Sequence, residues 1–70
     1  MQATIRLFGT SSRGIETKEF TLNMIEKSKK HSPIDRIREN LIFTTWEAMR
    51  QAKEVYGWDK VDRNEFKRFN

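Results

Sequence analysis

Seventy residues, 36% apolar and 34% charged, make one domain with a small core. With no cysteine the chain has no disulfide framework, no thiolate zinc site and no cysteine nucleophile. No apolar run approaches the ~20 residues that span a bilayer, and Met1 to Arg6 lacks a signal-peptide layout, so the expectation is a soluble cytoplasmic protein with no membrane association.

In chain order, Ala3 to Phe8 alternates apolar and polar residues apart from Phe8, Gly9 to Gly14 supplies turn residues, and Ile15 to Leu22 is rich in β-branched and aromatic types. The pattern predicts a β-hairpin over about residues 3–22. Ile5, Leu7, Phe20 and Leu22 face inward, and Thr4, Arg6, Thr17, Glu19 and Thr21 face solvent. A lone hairpin is marginal in water, so it must lie on another element or gain strands.

Residues 23–32 form a basic connector. Asn23 and Glu26 have capping-box spacing that suits a short helix, and Lys27-Ser28-Lys29-Lys30-His31 follows.

The next segment reads as one long helix over residues 33–56. Ser32 and Pro33 supply an N-cap and a first-turn proline, Asp35 complements the dipole, and Gly57 offers a left-handed stop. At 100° per residue, Ile34, Ile37, Leu41, Thr45, Ala48, Ala52 and Val55 share one stripe, expected to be the core face. Phe43 and Trp46 fall outside it. After Gly57, Asp62 and Glu65 repeat the capping spacing, while Phe66 and Phe69 share a face at i, i+3. The expected fold is therefore α+β: an N-terminal hairpin packed on one long central helix, with a short C-terminal helical segment over 58–70.

Two binding surfaces follow from these residues. Phe43 and Trp46 are either a second core face, covered by Trp58, Val61, Phe66 and Phe69, or an exposed anchor for a protein partner, with Arg50 and Arg36 near on the wheel. Glu39, Glu47 and Glu54 share that face and repel phosphate, which favours a protein partner. Separately, Lys27, Lys29, Lys30, Arg36 and Arg38 concentrate positive charge around the helix entrance, a pattern of ordinary solvated connectors and also of phosphate-binding surfaces.

Enzyme-like fragments carry no complete chemistry. Gly9 and Gly14 bracket four residues, but Ile15 and Glu16 follow where a phosphate loop needs lysine and serine or threonine. His31 is the only histidine and has no second ligand at helical spacing. Asp59 and Asp62 lack a calcium-loop series, and Ser11 and Ser12 have no neighbouring base. The expectation is a non-enzymatic protein-binding accessory or regulatory module without cofactor or metal, acting through Phe43, Trp46, Arg50 and Arg36, alone or within a larger assembly. The alternative is a nucleic-acid-binding protein using Lys27, Lys29, Lys30 and Arg38, with Arg6 and Arg13 of the hairpin extending the footprint. Pairing of the long helix with a second copy is a third option.

Overall fold

A computed structural model describes residues 1–70. Strands β1 (Gln2–Ser11) and β2 (Gly14–Asn23) form the expected hairpin, helix α1 (Pro33–Glu54) follows, and strand β3 (Trp58–Phe69) completes a sheet of order β2-β1-β3. Both neighbours run antiparallel to β1. The hairpin turn is tight: Ser12 and Arg13 lie between the strands, and Gly14 takes φ +110°, a conformation that side chains resist. Gly9 and Thr10 belong to β1 rather than to the turn.

Helix α1 covers one sheet face. Ile5, Leu7 and Phe20 of the hairpin meet Ala48 and Ala52 of the helix and Trp58 at the start of β3. Gly9 leaves room for the Trp58 indole; a Cβ at Gly9 would overlap that ring and the Lys60 carbonyl oxygen. The helix ends two residues before its expected limit. Val55 and Tyr56 both donate to the Gln51 carbonyl, and Gly57 adopts φ +74°. Ser32 precedes the helix in extended conformation without a side-chain capping bond.

The C-terminal segment is a strand, which corrects the helical expectation for residues 58–70. The misleading sign was the i, i+3 pair Phe66 and Phe69. Along β3 the residues opposite the helix-facing positions of β1 are Trp58, Val61, Asn64, Phe66 and Phe69, paired with Ser11, Gly9, Leu7, Ile5 and Ala3. Three register shifts each insert one extra residue, at Asp59, Asp62 and Lys67. Each bulge turns a step of two into a step of three, so a strand imitates helical spacing. The free edge of β1 then decides the state, because pairing there satisfies a row of backbone groups that would otherwise face only water.

The segment after β2 is also not a helix. Residues 24–30 run in irregular, extended form along the helix, which comes back past them. Past Met24 the amides have no sheet partner, and helix side chains supply acceptors to three of them. Asn40 Oδ1 accepts from Lys27 N–H at 3.0 Å and Ser28 N–H at 2.8 Å, and Thr44 Oγ1 accepts from Ile25 N–H at 2.9 Å while donating to the Asn40 carbonyl.

This need corrects the expected helix stripe. Its buried line is Asn40, Thr44, Ala48 and Ala52, while Ile34, Ile37 and Val55 are exposed. Met24 N–H bonds to the Met1 carbonyl at the sheet's end, so the chain from there to about Asn40 projects beyond the sheet, and the molecule reaches 42 Å in length against 19 Å and 17 Å in width. Ser32 to Arg38 are all exposed.

Candidate functional site

Charge divides along the 42 Å axis. The overhanging connector and helix start carry Lys27, Lys29, Lys30, Arg36 and Arg38, and the end of β3 brings Lys67 and Arg68 to the same pole, opposite Thr4 at the N-terminal end of β1. The same segments contain three acids, Glu26, Asp35 and Glu39, while Glu19 and Glu47 of the body lie close enough to be attracted by Arg68 and Lys67 and by Lys27, respectively. The remainder of the molecule holds seven bases and seven acids, so the whole formal charge of +4 belongs to the pole.

Ion pairing follows the same division. Arg6 pairs with Glu19 and Glu65, Arg13 with Glu16, Arg50 with Glu47 and Glu54, Lys60 with Asp62 and Arg63 with Glu65. None of the seven polar bases is in an ion pair. Arg36 instead donates to the Lys30 and His31 carbonyls, which ties the connector to the helix start.

Three carboxylates of the body, Glu16, Glu19 and Glu47, are held ionised. Hydrogen bonds from Arg50 and then Gln51 lower the Glu47 pKa to about 2, and Arg50 is raised in return. Glu16 is lowered by hydrogen bonds from Ser11 and Arg13. Glu19 is lowered first by its hydrogen bond from Arg6, with added attraction from Arg68, which pairs opposite Thr4 on the sheet face away from the helix, and from Lys67.

A second feature borders the pole. Leu41, Ile42, Trp46 and Met49 of the helix and Phe66 of β3 line an open groove of about 320 Å³. Trp46 is 57% exposed and Phe66 44%. The indole is braced edge-on by Phe43, half-buried beside it, with ring centroids 5.7 Å apart. Phe66 is braced by Phe69 at 4.7 Å. In sequence these last rings enclose two polar cations, Phe66-Lys67-Arg68-Phe69.

The residues expected to act together are thus partly regrouped. Phe43 and Trp46 are adjacent, but Arg50 is neutralised by Glu47 and Glu54, and Arg36 lies at the connector. Lys27, Lys29, Lys30 and Arg38 gather at the pole, whereas Arg6 and Arg13 are engaged in ion pairs. Lys67, Arg68, Phe66 and Phe69 enter only through the pairing of β3. Two adjacent cations between two rings were the readable sign.

No helix is long and apolar enough to cross a membrane. Comparison with protein-family models, with curated proteins and with solved structures gives no match.

Proposed function

We propose that this is a non-catalytic binding protein whose cationic pole holds the phosphates of a nucleic acid. The observation that carries the reading is the segregation of charge: seven bases without an ion-pair partner at one end, and behind them a charge-balanced body in which five of the seven bases are ion-paired. A cation already paired must break that pair to take a phosphate. These seven have no ion pair to break, and apart from Arg36, which bonds the Lys30 and His31 carbonyls, they need only release solvent and counterions. The acidic residues that argued against phosphate near Trp46 are largely compensated, since Glu47 and Glu54 both bond Arg50.

Affinity measured against salt tests this. Binding to an oligonucleotide should weaken linearly in log salt, with a slope of about −0.7 to −0.9 per phosphate neutralised. The joint substitution Lys27→Ala, Lys29→Ala, Lys30→Ala should flatten that slope by roughly two to three. Arg13→Ala should leave it unchanged. No retention at low salt, or equal effects of both changes, would sink the proposal.

A protein partner is the second reading, and the aliphatic surface favours it. Ile34, Ile37 and Ile42 are exposed on or beside the pole and offer no stacking platform. Such a partner must be acidic to tolerate the surrounding charge. Capture from the source cell at two ionic strengths would separate the two, because an apolar contact survives salt that releases phosphate.

A further inference from the structure

Resting on the nucleic-acid reading, we infer that the groove between the helix and β3 is a base-stacking site, and that the bound form is a single strand. A cationic surface alone does not distinguish a duplex from a strand. Exposed, rigid rings do, because bases inside a duplex already stack on one another and cannot reach them.

Trp46 has the properties such a platform needs. It is more than half exposed, yet its orientation is set by the edge-on Phe43 ring. Phe66 opens into the same groove and is braced by Phe69. A cation stands where the backbone of a stacked strand would enter the groove: Arg38 lies one turn before Ile42 on the same helix face, at the edge of the cationic pole. The one acidic group beside the indole within a turn, Glu47, is bonded by Arg50 and Gln51.

A second copy of this chain fits the groove less well. Contact there would set the Arg38 of each copy against a second chain that also carries a net charge of +4. A polyanion removes that repulsion instead of doubling it.

The two tryptophans supply the test. Trp58 is buried on Gly9, so Trp46 is the indole able to report contact. An oligothymidylate of about 12 nucleotides, within the ~4–16 nucleotides that single-strand sites occupy, and the matching duplex are titrated at low salt. The strand should bind more tightly than the duplex and quench fluorescence. In Trp46→Phe the quench should vanish while affinity stays within a few-fold, since a ring remains. In Trp46→Ala affinity for the strand should fall about ten-fold with the salt slope unchanged. Phe66→Ala should act in the same direction without touching the reporter.

Failure divides cleanly. If neither probe binds, the nucleic-acid reading falls and this inference with it. If both bind equally and Trp46 stays unquenched, the pole binds phosphate but the groove takes no base. If sedimentation shows a dimer that Trp46→Ala dissociates, the groove belongs to a second copy and the inference is overturned.

Discussion

Replacing Asn40 with alanine would remove one oxygen that two backbone amides share. Asn40 is buried in the middle of the helix, and its Oδ1 receives Lys27 N–H and Ser28 N–H. A polar group left without a partner in the interior costs about 1–3 kcal/mol. Lys27 is exposed and its amide can regain water, whereas Ser28 is half-buried, so the net loss should be about 2 kcal/mol. For a domain of this size each kcal/mol moves the melting temperature by roughly 4–8 °C, giving a fall of about 8–16 °C. Urea unfolding should show a lower midpoint at an unchanged slope, since the exposed surface is the same. Hydrogen exchange should lose protection at Lys27 and Ser28 while the amides between β1 and β2 keep theirs. Asn40→Asp retains an acceptor and should recover most of the stability. Loss of less than about 0.5 kcal/mol in the alanine variant, with both amides still protected, would refute the role given to this side chain.

Gly9→Ala should destabilise by about 2 kcal/mol or more, because the added carbon meets both the Trp58 ring and the Lys60 backbone; a red shift of tryptophan emission at lower denaturant checks it. Glu47 should titrate near pH 2 by carboxylate NMR, well below an ordinary glutamate. Its folded pKa is depressed, so its contribution is present above the unfolded value near 4.5 and fades as pH falls toward 2. Glu47→Gln should therefore flatten thermal stability over that window, and a normal titration midpoint would contradict the Arg50 bond. Lys67→Ala with Arg68→Ala should lower the salt slope of oligonucleotide binding by roughly one to two, although neither residue is near the connector in sequence. An unchanged slope would remove the end of β3 from the pole.

The hairpin was legible because its information is local. Residues at a spacing of two place Ile5, Leu7, Phe20 and Leu22 on one face, and only Gly14 was needed to close the turn. Helix α1 was legible for the same reason: Pro33 and Gly57 bound a run with one dominant period. That period set Trp46 outside the expected stripe, but whether β3 covered it or left it exposed was decided only by the fold. Net charge, and its excess around the connector, could also be counted without a fold.

What the sequence could not decide was everything set by partners distant along the chain. Residues 58–70 carry both a helical spacing and the makings of a strand, and only the unpaired edge of β1 chooses, through three bulges that hide the alternation. The helix centre turned on Asn40 and Thr44, polar residues that look wrong for a core until the connector's orphan amides lie against them. The ion pairs of Arg6 likewise form across strands, with Glu19 and Glu65, so a count of bases does not reveal that it is engaged. Local periodicity fixes how a segment can fold, but long-range hydrogen bonding and charge pairing determine which of those forms exists and which surface is left to bind.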